Sequence, residues 1–172
     1  MIKIVDNFFS KKDLLNVQDF ASNKAYYTPQ YTEFDNTTER NKENFYGIRW
    51  HLNNDKDLKK LFIKQIELKF KIKINSIAKA SGIDLRNLDH FIPHTDCESN
   101  LNVLIMLKGP TAVSNGTVFY YGAIDDCVLD IHVGFRENRA ILFPSDWVHS
   151  PHAINTPDIK RYTASVFITD YD

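Results

Sequence analysis

A histidine and an aspartate separated by one residue, His94 and Asp96, are the strongest chemical signal in this sequence. They directly follow Pro93, where an extended segment is expected, and alternate residues of a strand point to the same side. A neutral imidazole and a carboxylate together suit a divalent transition metal such as Fe(II). Two protein ligands hold a catalytic metal poorly, so the pair predicts a third ligand elsewhere in the chain.

Two histidines about fifty residues later, His149 and His152, are the candidates for that third ligand. They are separated by an odd number of residues, so on a regular strand they face opposite ways. We prefer His149, because we expect it to continue a short strand that begins at Asp146, and regular elements hold ligands firmly. His152 comes after Pro151, where we expect the strand to have ended. It remains the alternative because it is nearer to Arg161 in sequence.

A second polar set lies at the start of the last predicted strand. Arg161, Thr163 and Ser165 alternate, so they share one face, while the residues between them are apolar. An arginine binds a planar carboxylate through two parallel hydrogen bonds. If this face lines the inside of a barrel, the three side chains predict a site for an anion.

The elements that must position these residues change character along the chain. A helix is expected from about Lys11 to Ser22, after a cap at Ser10. Residues 24–44 are polar and predict a long loop, and a second amphipathic helix is expected over residues 58–78. From Ile83 onward, about eight short strands separated by turn signals predict a sandwich or jelly roll.

The predicted strand from Phe45 to Leu52 carries a further polar pair. Arg49 and His51 share one of its faces and apolar residues share the other. They are candidates for substrate binding. The simpler interpretation, a solvated sheet face, is preferred from the sequence.

Composition bounds the class of protein. The 172 residues are 43% hydrophobic and 25% charged with a formal net charge of -1, which is typical of a globular domain, and we expect a single domain over residues 1–172. No basic field predicts a nucleic-acid partner, and no apolar run has the length of a membrane span. The N-terminus has no signal-peptide pattern, and two cysteines make no disulfide framework. We therefore expect a cytoplasmic protein without membrane or nucleic-acid partners.

In their order and spacing, the motifs resemble the Fe(II)- and 2-oxoglutarate-dependent dioxygenases, in particular the prolyl 4-hydroxylase-like branch. The segments that carry the resemblance are Pro93–Asp96, Asn115–Tyr120, Arg139–Ser145, Trp147–His149 and Arg161–Thr163. It implies an α+β, mainly β fold: a double-stranded β-helix (a jelly-roll or cupin-like barrel) with N-terminal helices packed on one sheet.

The resemblance also implies the roles of individual residues. His94, Asp96 and a distal histidine would hold Fe(II), and His149 matches the family's position for the distal ligand. Arg161, helped by Thr163 or Ser165, would bind the far carboxylate of 2-oxoglutarate. With O2 as the other cosubstrate, such an enzyme hydroxylates a substrate C–H bond and releases succinate and CO2.

Other functions remain open at this stage. A non-catalytic metal- or sugar-binding jelly-roll module would keep the barrel without needing Arg161. A halogenase of the same class is disfavoured, because its carboxylate position is vacated for halide whereas Asp96 is present. The substrate is expected to be a small molecule or a peptide or protein; peptidyl proline, a free amino acid and another metabolite all fit.

Overall fold

The structure, a computed structural model, describes residues 1–31, 45–86, 93–96, 99–112, 115–152 and 160–172. These residues form two α-helices, α1 (Lys11–Asp19) and α2 (Lys56–Phe70), and eleven strands. The strands are β1 (Lys3–Val5), β2 (Thr28–Tyr31), β3 (Phe45–His51), β4 (Ile74–Ile77), β5 (Gly82–Arg86), β6 (Leu101–Lys108), β7 (Gly116–Tyr121), β8 (Val128–Gly134), β9 (Arg139–Pro144), β10 (His149–His152) and β11 (Arg161–Tyr171).

Two antiparallel sheets make up the barrel. The major sheet has the order β1-β9-β6-β11-β5-β3-β2, with β4 also paired to β11, and the minor sheet has the order β10-β7-β8. The long strand β11 lies at the centre of the major sheet, between β6 and β5. This arrangement is the jelly roll expected from the sequence, and the predicted fold class is confirmed.

Apolar side chains fill two layers. On its outer face the major sheet packs against both helices, through Val17 of α1 and Phe62, Ile66 and Phe70 of α2. A second buried cluster lies between the two sheets and consists of Met106, Phe119, Val133, Phe135, Ile141 and Phe143. Because the helices cover one face of the major sheet, the other face is free to line the interior of the barrel.

Both helices begin at capped residues. The Ser10 Oγ accepts a hydrogen bond of 3.1 Å from the Asp13 amide, as the sequence predicts. The Asp55 carboxylate accepts from the amides of Asp57 and Leu58, each at 2.9 Å. These bonds satisfy amides that have no partner within the helix itself.

The second helix is shorter than predicted. It ends at Phe70, Lys71 adopts a left-handed conformation with φ of 59°, and residues Ile74–Ile77 form β4. The sequence carries a signal for this boundary, since from Leu68 to Ile74 apolar residues recur at every second position, which is the period of a strand rather than a helix.

Two further boundaries differ from the prediction. The polar stretch predicted as a loop over residues 24–44 contains β2, which pairs with β3; residues 32–44 lie outside the described part of the chain. The strand predicted to begin at Asp146 begins at His149 instead, because a turn closed by the Trp147 amide on the Pro144 carbonyl precedes it. As a result, β10 runs through Pro151 and ends at His152.

No helix among the described residues is long and apolar enough to cross a membrane.

Candidate metal centre and anion site

The backbone places His94 and His149 directly opposite each other. The amide of each donates to the carbonyl of the other, with both N···O distances 2.9 Å, and this bridge extends the minor sheet beyond β10. Residues that exchange both hydrogen bonds lie about 5.5 Å apart at Cα, with their side chains on the same face. The two imidazole ring centroids are accordingly 4.5 Å apart.

Asp96 completes a cluster with these two histidines. Its amide donates to the Ser145 carbonyl at 2.7 Å, which fixes the segment two residues beyond His94. Its carboxylate Oδ2 lies 3.2 Å from Nε2 of His149. One ligand atom from each of His94, Asp96 and His149 lies within 4.8 Å of the others. The structure thus brings together the three residues preferred as metal ligands from the sequence.

The tautomer of His149 favours a cation in this cluster. Its Nδ1 lies 2.8 Å from the Trp147 carbonyl oxygen, which can only accept, so Nδ1 carries the hydrogen. In the neutral ring, Nε2 then offers a lone pair, and this lone pair faces the Asp96 carboxylate. Two acceptors at 3.2 Å need a proton or a metal ion between them. A neutral imidazole held by a carbonyl is also the usual form of a metal ligand.

Asn102 holds the carboxylate of the cluster. Its Nδ2 donates to Oδ2 of Asp96 at 2.6 Å, and its own side chain is only 3% exposed. Burial is the largest influence on the pKa of Asp96 and raises it. When the histidines are protonated, a hydrogen bond from His149 and the positive charges of His149 and His94 lower this pKa, and the Asn102 bond lowers it as well. Together they outweigh burial, so the net pKa of Asp96 lies below its ordinary value. The aspartate therefore remains ionised, as a metal ligand must be.

Asn102 was not among the site residues predicted from the sequence. The available signal was an amide within β6, the most apolar strand of the chain, at a position that faces the barrel interior.

Aromatic side chains enclose the ring of His149. The ring centroids of Phe143 and Phe119 lie 4.8 Å and 6.1 Å from it, and both phenylalanines are buried. The Trp147 Nε1 donates to the Tyr120 carbonyl at 3.0 Å and holds the preceding turn against β7. This apolar wall shields the His149 ring, since the residue is only 6% exposed, and an apolar shell of this kind controls solvent access and the local dielectric at a metal site.

His152 lies apart from this cluster. It ends β10 on the opposite face, where its side chain is exposed and its ring lies 5.2 Å from that of His132. Its carbonyl oxygen accepts a hydrogen bond of 3.3 Å from Nη1 of Arg161. With a rise of about 3.3 Å per residue, β10 separates the position of His149 from this carbonyl by roughly 10 Å.

Arg161 lies in the barrel interior, as the anion-site prediction requires. The residue is only 4% exposed, and its guanidinium carbon lies 5.4 Å from the ring centroid of Phe135. Thr163 and Ser165 follow on the same face and are also buried. Ser165 is engaged elsewhere, because its Oγ donates to the Asp84 carboxylate at 3.3 Å. Of the two hydroxyls expected to help Arg161, Thr163 is therefore the better placed.

Thr117 is another polar residue that the sequence argument did not single out. Its Oγ1 is buried and has no hydrogen-bond partner among the described residues. On β7 it lies two residues before Phe119, and it pairs with Val133, which precedes Phe135 by two residues on the same face. It therefore stands between the aromatic ring beside His149 and the ring beside Arg161. A buried hydroxyl of this kind needs a polar partner, which a bound anion would supply.

Arg49 and His51, the low-ranked candidates for substrate binding, lie in different surroundings. Arg49 is 5% exposed, so the preferred expectation of a solvated face is wrong for this residue. Its Nε and Nη2 donate to the two oxygens of Asp84 at 2.6 Å and 3.0 Å. A Cβ on Gly82 would come within 2.8 Å of the Arg49 Cγ, so the glycine gives the arginine room to cross β5. His51 has its Nδ1 3.2 Å from the Lys79 carbonyl.

Solved structures share this architecture. No protein-family model and no curated protein matches the chain. One of these solved structures is a prolyl hydroxylase from Trichoplax adhaerens in complex with a hypoxia inducible factor peptide fragment. It is 14% identical to this chain with a TM-score of 0.67, and the match covers 98% of this chain and 83% of the hydroxylase chain.

Two enzymes of nogalamycin biosynthesis, both described as non-heme and alpha-ketoglutarate-dependent, are similar in the same way. The epimerase SnoN is 11% identical with a TM-score of 0.65, and the coverage is 98% of this chain and 78% of SnoN. The carbocyclase SnoK is 12% identical with a TM-score of 0.67, and the coverage is 99% and 80%. The resemblance inferred from the sequence is thus confirmed at the level of the fold: this chain has the double-stranded β-helix of the 2-oxoglutarate- and Fe(II)-dependent oxygenases.

Proposed function

We propose that this protein is an Fe(II)- and 2-oxoglutarate-dependent oxygenase that oxidises a C–H bond of its substrate. The observation that carries the proposal is the convergence of His94, Asp96 and His149, whose ligand atoms lie within 4.8 Å of one another inside the shared fold. Two imidazoles and one carboxylate on one side of an ion, with the other positions open, are the ligand set of non-heme Fe(II) oxygenases.

The three ligands fit such an ion by their chemistry. His149 presents Nε2 because its Nδ1 is held by the Trp147 carbonyl, and Asp96 stays ionised beside Asn102. His94 is fixed opposite His149 by the backbone bridge. When bound, Fe(II) would bring 2-oxoglutarate and O2 together for an oxidative decarboxylation that yields succinate and CO2 and oxidises the substrate.

The interior of the barrel supports the second part of the proposal. The buried guanidinium of Arg161 suits the far carboxylate of 2-oxoglutarate, and the Thr163 and Thr117 hydroxyls are the neighbouring donors. Arg161 contacts the His152 carbonyl, and this carbonyl lies roughly 10 Å along β10 from the proposed metal ligand His149. This separation is comparable to the length of a five-carbon dicarboxylate with a metal bond at one end and a hydrogen bond at the other.

For the substrate, we propose a hydroxylation, with a peptidyl proline as the first candidate to test. The proline candidate is supported by the motif order and by the similarity to the Trichoplax adhaerens prolyl hydroxylase, which was solved with a peptide. The epimerase SnoN and the carbocyclase SnoK have the same fold, so small-molecule substrates belong in the same screen.

The test is turnover of 2-oxoglutarate to succinate with added Fe(II) under air, in the absence and presence of candidate substrates. We expect slow succinate release without substrate, acceleration with the correct substrate, and loss of both in His94→Ala. Turnover that persists in His94→Ala, or no turnover under any condition, would refute the proposal. Metal binding without any 2-oxoglutarate binding would instead favour the non-catalytic jelly-roll module.

A further inference from the structure

Exposed apolar side chains cluster at the turn between β7 and β8. Tyr121, Ile124, Val128 and Leu129 are 75%, 49%, 61% and 61% exposed, and they lie within nine consecutive residues. The other exposed large apolar residues among the described ones lie singly elsewhere, namely Met1, Ile4 on β1, Leu15 on α1, Tyr26 just before β2, Leu68 on α2 and Tyr171 at the end of β11. Single exposed apolar residues are normal on a protein surface, but a group of them at one turn, with Tyr121 and Val128 paired directly across β7 and β8, is a candidate site of interaction.

The same turn is acidic. Between Lys108 and His132 the sequence contains no lysine, arginine or histidine, but it contains Asp125, Asp126 and Asp130, all of them exposed. We refer to these three aspartates and the four apolar residues above as the β7–β8 tip. A surface of this composition is complementary to a partner that carries both basic and apolar side chains.

The β7–β8 tip continues the apolar wall of the metal cluster. Phe119 pairs with His149 across the minor sheet, and Tyr121, two residues further along β7, points to the same side. The distance from Phe119 to Tyr121 along the strand is roughly 7 Å. Tyr121 in turn pairs with Val128 on β8. A chain bound at the tip would therefore lie within a few residues' length of the candidate metal centre.

Strand β8 also offers its backbone. Among the described strands it pairs only with β7, so it forms one edge of the minor sheet. The outer amides and carbonyls of an edge strand can pair with an extended segment of another chain, which adds as a further strand. Val128 and Leu129 flank this edge with exposed apolar surface.

We propose that the β7–β8 tip docks a polypeptide substrate that carries basic and apolar residues and adds as an extended strand along β8. This inference deepens the proposed oxygenase function and rests on it for the identity of the partner as substrate. A second copy of this chain is a poorer occupant, because its formal net charge of -1 offers no net positive charge to complement the aspartates.

The test measures binding of a fluorescein-labelled peptide of alternating lysine and valine around one central proline, by fluorescence anisotropy with Mn(II) and 2-oxoglutarate present. Matched peptides replace lysine with glutamate or serine. We expect the basic peptide to bind at least roughly tenfold more tightly than the acidic one and to weaken with added salt. Equal binding of all three peptides, or no binding of the basic peptide, would overturn the inference.

Variants locate the binding surface. One double variant, Val128→Ser/Leu129→Ser, removes apolar surface from the tip. The other, Asp125→Lys/Asp126→Lys, reverses its charge. We expect each double variant to bind the basic peptide at least roughly tenfold more weakly than the wild type does. The control Leu15→Ser changes an equally exposed leucine on α1 and leaves binding unchanged. Unchanged binding in both tip variants, or a concentration-dependent dimer in sedimentation that the serine variant abolishes, would contradict the peptide-docking inference.

Substrate-free turnover of 2-oxoglutarate separates this inference from the oxygenase proposal. The tip variants leave the metal cluster and Arg161 intact, so we expect their basal turnover to be unchanged. Peptide binding without any turnover of 2-oxoglutarate would refute the oxygenase proposal but keep the tip as a binding surface. Turnover of 2-oxoglutarate without peptide binding would refute the inference that the tip docks a polypeptide.

Discussion

His94 and His149 exchange both of their backbone hydrogen bonds, each with an N···O distance of 2.9 Å. This bridge sets both the separation and the common direction of the two rings. A strand pair of this kind holds ligands more firmly than a loop does. The register of the strands therefore brings the two candidate histidine ligands together, and Asp96 joins them through the hydrogen bond of its amide to the Ser145 carbonyl.

The identity of the third ligand is the first prediction. His149→Ala should weaken Mn(II) binding at least about 100-fold, because it removes a direct ligand and leaves Asp96 facing an empty position. His152→Ala is the matched control, and its Mn(II) affinity should be unchanged because its side chain points to the opposite face of β10. Calorimetry without cosubstrate measures both. The reverse pattern would make His152 the ligand.

The second prediction concerns the buried guanidinium. Arg161→Ala should raise the 2-oxoglutarate concentration needed for half-maximal turnover by roughly 10- to 100-fold, the value of a charge-assisted hydrogen bond. Its Mn(II) affinity should not change, since the proposed ligand His149 lies at the other end of β10. Arg161→Lys should fall between the two, because lysine keeps the charge but not the paired donors. If the alanine variant has unaltered affinity for 2-oxoglutarate, Arg161 does not bind the cosubstrate.

The barrel and the three candidate metal ligands could be predicted from the sequence, because each motif depends only on residues that are close together in the chain. The pair His94 and Asp96 and the alternation of Arg161 with Thr163 need only the period of a strand. The end of α2 was predicted wrongly, because apolar residues continue past Lys71, the left-handed residue at which the helix ends, and their change of period from helix to strand was not recognised.

Contacts between distant segments were also inaccessible. The ion pair of Arg49 with Asp84 joins β3 to β5, and the bond of Asn102 to Asp96 joins β6 to the metal cluster. A single sequence shows which residue types occur, but not which strands become neighbours. For this reason Arg49 was expected to face solvent and Asn102 was not considered.

The third prediction is that Asn102 positions Asp96. Asn102→Leu keeps the approximate volume but removes the donor to Oδ2, so Mn(II) affinity should fall by about 10- to 100-fold, as is usual when a ligand loses its supporting hydrogen bond. Asn102→Ser should recover part of this loss, because a hydroxyl can still donate. The exposed Asn100, which donates to the Thr169 carbonyl, provides the control Asn100→Leu. If both leucine variants bind Mn(II) equally, Asn102 has no positioning role.

The fourth prediction is that the ion pair between Arg49 and Asp84 is structural. Asp84→Asn leaves the buried guanidinium without its counter-charge and should reduce the free energy of unfolding by about 3–5 kcal/mol. Replacing both partners in Arg49→Met/Asp84→Leu should restore most of the stability, since an apolar pair of similar size carries no desolvation cost. Urea denaturation measures each variant. Wild-type stability in Asp84→Asn, combined with weaker substrate binding, would instead favour the substrate-contact hypothesis for Arg49.

The last prediction uses pH to test the pairing of Asp6 with Arg139, which ties the first strand to β9. Nε of Arg139 donates to Oδ1 of Asp6 at 2.7 Å, and Arg136 adds a bond of 2.9 Å to Oδ2. The hydrogen bond from Arg139 is the largest influence on the pKa of Asp6 and lowers it. Burial raises this pKa, and the positive charges of Arg139 and Arg136 lower it. The net result is a pKa below the ordinary value of 3.8. A carboxylate with a lowered pKa stabilises the fold above its unfolded-state pKa and loses that contribution as the pH falls through its folded-state pKa.

Asp6→Asn should therefore be less stable than the wild type at pH 7, by up to about 1 kcal/mol because the pair is partly exposed to solvent. The difference should shrink as the pH falls below the ordinary aspartate pKa of about 4, and it should vanish once the pH is below the lowered folded-state pKa, where the wild-type carboxyl is also protonated. Urea denaturation across this range measures it, with Asp130→Asn, an exposed carboxylate on β8, as the control. A stability difference that stayed constant from pH 7 to pH 2 would show that the asparagine acts through packing or backbone geometry and not through the loss of the ion pair.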